Sequence, residues 1–199
     1  MKKKIFIGSK NKWKIEDYKN FLGEKYDVIS PYDLGIDLEV EENDYSLIEN
    51  STNKALAWAK KSGLVTLSED SGFFIKKLNW KPWISVKTWW WEYEKELDKK
   101  EFLKVLKEKI ETLDDTSSYF LTSLSIAFPS WEVYSILHKE EWYIDKNKFW
   151  NISTSWYPLS SVFIANWRWK TWSEMTNEEK KKWEQKFIDR INKFLDKIY

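Results

Sequence analysis

The sequence predicts an α/β fold: a mixed β-sheet with flanking helices and a long β-hairpin, in two lobes around a central cleft. Three observations carry this. Short apolar runs alternate with stretches of helical periodicity through the first half, the pattern that builds parallel strands with helical crossovers. A long hairpin rich in Thr, Ser, Ile and Leu follows, and its antiparallel strands make the sheet mixed. The 199 residues suffice for a substantial core, as a single domain spanning 1–199 or as two tightly joined lobes.

Lys4–Ile7 is a short apolar run ending at Gly8 and reads as the first strand. After a small polar loop, Ile15, Tyr18, Phe21 and Leu22 recur at helical spacing, so a helix is expected from Lys14 to about Leu22. Tyr26–Ser30 reads as a second strand, with a turn near Asp33-Leu34-Gly35. Ser46-Leu47-Ile48-Glu49 fits a capping box opening a helix that runs to about Ser62 and stops at Gly63. Leu64–Ser68 is a third strand, expected to deliver Glu69-Asp70-Ser71-Gly72 at its C-terminal end. Lysines and glutamates interleaved with apolar residues mark a helix from about Lys99 to Leu113. Ser118–Phe128 and Glu132–Tyr143 form the hairpin, turning at Pro129-Ser130-Trp131, and Ser161–Ala165 is a further strand. Thr176-Asn177-Glu178-Glu179 is a second capping box, heading a basic amphipathic helix whose stripe of Phe187, Ile191, Phe194, Leu195 and Ile198 reads as core packing.

The bulk numbers exclude several classes. A net charge of +1, from 33 basic and 32 acidic residues, argues against coating nucleic acid or a membrane surface. The absence of cysteine excludes disulfides, thiolate catalysis and Cys–zinc sites. The single histidine, His138, excludes a multi-histidine metal site and reads as structural or solvated. No apolar run approaches a membrane span, and the apolar part of the start is too short for a secretory signal, so a soluble cytoplasmic protein is expected.

Composition is unusual in one respect. Fifteen tryptophans stand against five glycines, where average usage would give roughly 14 glycines. The tryptophans fall in turn contexts: Asn11-Lys12-Trp13-Lys14, Leu78-Asn79-Trp80-Lys81-Pro82-Trp83, Thr88-Trp89-Trp90-Trp91, Pro129-Ser130-Trp131 and Asn166-Trp167-Arg168-Trp169. Turns of this kind need left-handed backbone or close approach, which glycine alone meets without strain. Many of these positions are therefore expected to be glycine in the cell, with UGA read there as glycine and translated conceptually as tryptophan. Reassigning about twelve leaves roughly 17 Gly and 3 Trp, near ordinary usage. Trp58, Trp172 and Trp183, in amphipathic or helical contexts, are set apart as genuine.

Three groups of residues can share one mechanism. Ser9, Lys10, Asn11, Lys12, Trp13 and Lys14 lie between a strand and a helix, where unpaired N–H groups and ammonium groups suit a polyphosphate. Alone, such a loop is also an ordinary solvated one. Glu41, Glu42, Glu49, Glu69 and Asp70 supply hard oxygen donors, and Mg2+ draws one or two protein carboxylates plus substrate phosphates. Asp70 can hold a metal or take a proton from an attacking water. Glu41-Glu42 also reads as an exposed acidic pair, and Glu49 as the capping acid. Lys54, Lys87, Lys180 and Lys186 complete the basic set, each taken singly a solvated lysine.

In this order and spacing the residues resemble the inosine triphosphate pyrophosphatase family nearly end to end. The family's opening Thr/Ser-x-Asn-x-Gly-Lys loop corresponds to Ser9-Lys10-Asn11-Lys12-Trp13-Lys14, with tryptophan where glycine belongs. Its Glu-Glu, Glu-Asn-(Ala/Ser) and Lys-Ala signatures correspond to Glu41-Glu42, Glu49-Asn50-Ser51 and Lys54-Ala55. Asp-Asp-Ser-Gly-Leu becomes Glu69-Asp70-Ser71-Gly72-Phe73, and Leu-Gly-Gly-x-Pro-Gly becomes Leu78-Asn79-Trp80-Lys81-Pro82-Trp83. Gly-Lys-Thr-x-x-Glu-(Met/Leu) and Glu-Glu-Lys correspond to Trp169-Lys170-Thr171-Trp172-Ser173-Glu174-Met175 and Glu178-Glu179-Lys180.

The resemblance implies Mg2+-dependent hydrolysis of non-standard purine nucleoside triphosphates (ITP, dITP or XTP) to the monophosphate and pyrophosphate, by a homodimer. It places Asp70 as proton acceptor and metal ligand, Glu42 as a second ligand and Glu49 close by. Ser9 to Lys14, Lys54, Ser71, Lys87 and Lys180 would hold the triphosphate and sugar. Two places depart from the pattern. The base-recognition run Phe-Gly-(Tyr/Trp)-Asp-Pro falls on Tyr157-Pro158-Leu159-Ser160-Ser161, without the aspartate, and Ser-His-Arg falls on Glu184-Gln185-Lys186. Tyr157 can still stack on a base, and Ser160 or Gln185 can hydrogen-bond one. Base preference depends on such placed donors and acceptors. The alternatives are a nucleotide-binding relative with altered base specificity or lost catalysis, and a tryptophan-rich module that stacks sugars or bases if the tryptophans are genuine.

Overall fold

In the computed structural model, which describes residues 2–149, 158–165 and 170–199, the chain begins with strand β1 (Lys3–Ile7), helix α1 (Lys12–Leu22) and strand β2 (Tyr26–Ile29). β1 and β2 are parallel, pairing Lys3 with Tyr26 and Phe6 with Ile29, and α1 is the crossover that a parallel pair requires. A one-turn helix α2 (Pro31–Leu34) and the longer α3 (Leu47–Ser62) lead to β3 (Thr66–Ile75), which lies parallel to β1 on its other side. Then follow β4 (Pro82–Trp83), α4 (Lys99–Ile110), β5 (Ser117–Ala127), β6 (Val133–Ile144), β7 (Phe163–Ala165) and α5 (Asn177–Ile198).

The described strands form a seven-stranded sheet in the order β2-β1-β3-β5-β6-β7, with β4 joined to β3. Antiparallel pairing of β4 on β3 and of β7 on β6 makes it mixed, as expected. The chain divides into two compact units. One comprises residues 1–71, 122–138 and 185–199, the other 72–121 and 139–184, so β3, β5 and β6 contribute residues to both. The first buries Ile5, Ile7, Leu22, Leu67, Leu124, Ile126, Ile191 and Leu195. The second buries Phe73, Ile75, Phe102, Leu106, Ile110, Ile144 and Phe163. No helix among the described residues is long and apolar enough to cross a membrane. His138, on β6, packs its ring against Phe187.

Local chemistry explains most boundaries. Asn11 caps α1 through its side-chain oxygen, starting the helix at Lys12, two residues ahead of the expected start. α2 replaces the turn expected near Asp33, because Ser30 and Asp33 form a capping box and Pro31 presets the first helical φ. Ser46 caps α3 by accepting the Glu49 peptide N–H, and Gly63 ends the helix at a left-handed φ of 70°. Asp98 and Glu101 form a capping box on α4, which ends at Ile110 rather than Leu113. The box expected at α5 is present in both halves: Thr176 N–H donates to Glu179, and Glu179 N–H donates to Thr176 Oγ1.

The main correction concerns β3. Expected to stop at Ser68, it continues through Glu69-Asp70-Ser71-Gly72 to Ile75. Phe73, Phe74 and Ile75 are buried, and this apolar run carries the strand past the acids. The pairing with β1 nevertheless ends at Ile7 and Leu67. Glu69 and Asp70 therefore sit mid-strand, just beyond the last residue of a parallel neighbour. Sequence reasoning also missed β4, a two-residue strand too short to carry a period.

Leu67 is fully buried in the core beneath those acids. Leu67→Ala is expected to cost about 2–5 kcal/mol by the loss of its contacts and the cavity left behind. Urea unfolding followed by circular dichroism measures this.

Candidate active site

The site is assembled where β1 ends. Gly8 N–H donates to the Leu67 carbonyl at 2.8 Å, and Ser68 Oγ donates to the Gly8 carbonyl at 3.0 Å. A side chain at position 8 could not fit, since a Cβ there would lie 2.3 Å from Ser68 Oγ. This close approach brings the Ser9–Lys14 loop and the N-terminus of α1 beside β3.

Within the loop, Asn11 Oδ1 accepts the peptide N–H groups of Trp13 and Lys14, at 3.0 and 3.4 Å. The expectation of unpaired N–H groups here is corrected on that point: the asparagine already satisfies two of the four donors that a helix start leaves open. The lysines also differ from one another. Lys10 pairs with Glu39 and, at 3.3 Å, with Asp37. Lys12 Nζ lies over the Tyr32 ring. Lys14 alone of the three reaches β3, with Nζ 2.9 Å from Glu69 Oε1.

Successive strand residues point to opposite faces, so Glu69 and Asp70 meet different partners. Glu69 is met by Lys14 and by the Tyr18 hydroxyl, both from α1. Asp70, only 8% exposed, is met from α3: Asn50 Nδ2 donates to its Oδ2 at 3.0 Å, and Lys54 Nζ lies 3.0 Å from its Oδ1. Asn50 and Lys54 are four residues apart, one above the other on a single helix face. Lys54 also reaches Glu42 Oε1 at 2.8 Å. Asn50, itself buried, exchanges two hydrogen bonds with the Asn43 backbone, accepting its N–H at 2.7 Å and donating to its carbonyl at 2.8 Å. One amide thus fixes both Asp70 and the loop that carries Glu42.

α3 is itself pinned by hydroxyls. Ser51 Oγ lies 2.8 Å from Ser123 Oγ and 2.7 Å from Ser125 Oγ on β5, and Ser125 Oγ lies 2.7 Å from Ser135 Oγ on β6. Ser71 Oγ is 3.0 Å from Thr122 Oγ1.

The charges shape one another. Burial pushes the Glu69 carboxyl up, but Lys14 and the Tyr18 hydroxyl outweigh it and hold it below its usual range. Burial likewise opposes the charge on Lys14, yet Glu69, with Asp70 and Glu42 farther off, raises its pKa. The Tyr18 hydroxyl is driven well upward by burial and by Glu69. Asp17, one residue earlier on α1, is pushed up to about 6 by burial and then by Glu69 and Glu16.

The Ham1 family matches residues 5–188. The chain belongs to the Ham1 family. It is 29% identical over 182 residues to a dITP/XTP pyrophosphatase of Bacillus licheniformis, covering 90% of each chain. A dITP/XTP pyrophosphatase of Halalkalibacterium halodurans is 29% identical over 202 residues, covering 98% of this chain and all of that one. The solved Ham1 protein of Staphylococcus aureus covers 99% of this chain and all of its own, with a TM-score of 0.80 at 24% identity, a likeness of fold.

The remaining predicted site residues of this Ham1 chain fall in several places. Glu49 is exposed in the first turn of α3 and is not joined to the Glu42–Lys54–Asp70 chain; nor does its side chain complete a capping box with Ser46. Gln185 donates to Asp189 along α5, with Lys186 exposed beside it. In the other unit, Lys87 pairs with Glu96 at 2.7 Å, Lys180 Nζ lies over the Trp172 ring, Ser160 is buried and Leu159 packs in the core. Pro158 opens the short 3-10 turn that carries them. Tyr157 lies outside the described residues. Sequence reasoning left out Asn50 and Tyr18 as site residues; for Asn50 the available signal was its i,i+4 spacing with Lys54.

Among the described residues no three His, Asp or Glu side chains form a metal cluster by themselves. Glu42 and Asp70 do converge on one cation, the Lys54 ammonium. Two hard carboxylates turned toward one positive charge fit Mg2+ held jointly by protein and phosphate oxygens.

Asn50→Ala removes the group that satisfies the Asn43 backbone and one Asp70 oxygen, and is expected to cost about 1–3 kcal/mol, read by thermal melting. The pH dependence has two opposed parts. Glu69 has a folded pKa below its ordinary 4.5, so its contribution is present above that value and lost as pH falls through the folded one. Asp17 is raised from 3.8 to about 6, so the folded state holds its proton more tightly and its contribution is lost as pH rises through that window. Asp17→Asn is therefore expected to raise the slope of stability against pH across that window, checked by urea midpoints.

Proposed function

We propose that this chain hydrolyses non-standard purine nucleoside triphosphates of the ITP, dITP and XTP type to the monophosphate and pyrophosphate, with Mg2+, as a homodimer that cleans the cytoplasmic nucleotide pool. The observation that carries the reading is Asp70, a nearly buried carboxylate fixed by Asn50 and Lys54 with Glu42 on the same ammonium, in a Ham1-family chain.

Asp70 is the proton acceptor for the attacking water. Asn50 holds its Oδ2 and leaves the carboxylate a single orientation. Lys54 pairs with Asp70 in a buried place and would supply positive charge to phosphate oxygens. Lys14, now neutralised by Glu69, and the Ser9–Asn11 loop flank the position where a polyphosphate would lie. Glu42 and Asp70 would hold Mg2+, which when bound neutralises charge developing on the phosphates.

A second reading has a specific observation behind it. Leu159 packs in a core, Gln185 is engaged along its own helix, and the family's aspartate and Ser-His-Arg are absent, all at the positions assigned to base contact. This favours a shifted base preference over an unchanged one.

Pyrophosphate release measured over ITP, dITP, XTP, dUTP, ATP and GTP separates these readings. Release with Mg2+ on the inosine and xanthosine substrates is expected, with Asp70→Asn lowering kcat by about 10²–10⁴. Release confined to other bases would support the second reading. No release from any substrate would leave a nucleotide-binding relative.

A further inference from the structure

Seven non-glycine residues among those described have a left-handed backbone, and six of them are tryptophan. They are Trp80 (φ 67°), Trp83 (60°), Trp89 (50°), Trp90 (52°), Trp91 (62°) and Trp131 (74°); the seventh is Asn79 (51°). In this region the Cβ of an L residue crowds the following carbonyl oxygen. Glycine enters freely, asparagine enters because its amide bonds locally, and a bulky side chain there is an outlier. Asn79 is therefore ordinary and the six are not. The glycines Gly35 and Gly63 occupy the same region, at φ 63° and 70°.

We propose that Trp80, Trp83, Trp89, Trp90, Trp91 and Trp131 are glycine in the protein its source cell makes, each encoded by UGA read there as glycine. What sorts these residues is a backbone dihedral. A chain that used tryptophan for its ring would place it by exposure or packing, and would have no reason to choose positions that reject a Cβ.

Local structure agrees at several of these positions. Trp89, Trp90 and Trp91 are consecutive, and L residues visit the left-handed region singly rather than in runs. Trp131 donates its N–H to Phe128 at 3.0 Å in the turn between β5 and β6, while Phe128 N–H donates to Glu132 at 2.8 Å. A short hairpin loop with its last residue left-handed takes glycine there. Trp80, Trp90, Trp91 and Trp131 leave 38–62% of their surface in water. Trp83 packs on Trp90 and Phe74. Trp89 is buried against Phe102, so its φ within the run of three is what assigns it.

Other tryptophans behave as tryptophan. Trp58 lies within α3, is 2% exposed and packs on Phe6 with ring centroids 5.7 Å apart. Trp183, on α5, donates its indole N–H to Glu140. Trp13 and Trp142 have ordinary φ, and the dihedral argument does not reach them.

The codons of the gene and the masses of tryptic peptides from the protein purified out of its source cells test the proposal. UGA at all six positions, UGG at Trp58 and Trp183, and peptides of glycine mass at the six are expected. UGG at any of the six, or a native peptide carrying tryptophan there, overturns the assignment. A second measurement rests on the strain itself. In recombinant protein Trp131→Gly is expected to raise Tm by about 2–4 °C over the chain as written, and Trp58→Gly to lower it. A Trp131→Gly protein that melts no higher removes the physical basis of the proposal.

Discussion

A carboxylate sealed from water needs a cation and a hydrogen-bond donor, and the clamp of Asn50 and Lys54 on Asp70 meets that need from one helix face. Much of the first unit can be understood as holding that clamp in register. The Ser51, Ser123, Ser125 and Ser135 hydroxyls tie α3 to the hairpin. The Asn50 amide reaches the other way and fixes the loop before the helix. Because the same amide serves Asp70 and the Asn43 backbone, the position of Glu42 and the orientation of Asp70 are set together.

β3 distributes the charge. Its alternation sends Glu69 toward α1 and Asp70 toward α3, so each acid has its own lysine, Lys14 or Lys54. Two adjacent acids would repel if they shared a face. Their separation gives each its own cation at low exposure, while Asp17, one residue before Tyr18, is pushed up to about 6 by burial first and then by Glu69 and Glu16. β1 ends at Ile7, level with Leu67 and two residues before Glu69, and the close contact of Gly8 with Ser68 holds the Ser9–Asn11 loop beside β3.

The tryptophans bear on the fold through the backbone rather than through their rings. The segments around Trp80–Trp83, Trp89–Trp91 and Trp131 are turns whose path is set by strand pairing and by hydrogen bonds such as Trp80 N–H to Ile75 and Trp90 N–H to Ser85. Those bonds hold the chain left-handed whatever the side chain. A Cβ there costs of order 1–2 kcal/mol per residue.

The sequence by itself determined the elements whose signals are local. α3 was legible because Ser46 and Gly63 bracket an amphipathic run, and α5 because Thr176 and Glu179 cap one. The acids and the loop lysines were legible as residue types. Tertiary structure decided what depends on distant partners. β3 outran its expected end because Phe73, Phe74 and Ile75 bury, which no property of Glu69 or Asp70 foretells. Asn50 joined the site and Glu49 did not, because a single step along the helix, about 100° of rotation, points the first at Asp70 and leaves the second exposed. Which lysine meets which acid is a question of geometry across residues far apart in the chain, and only folding answers it.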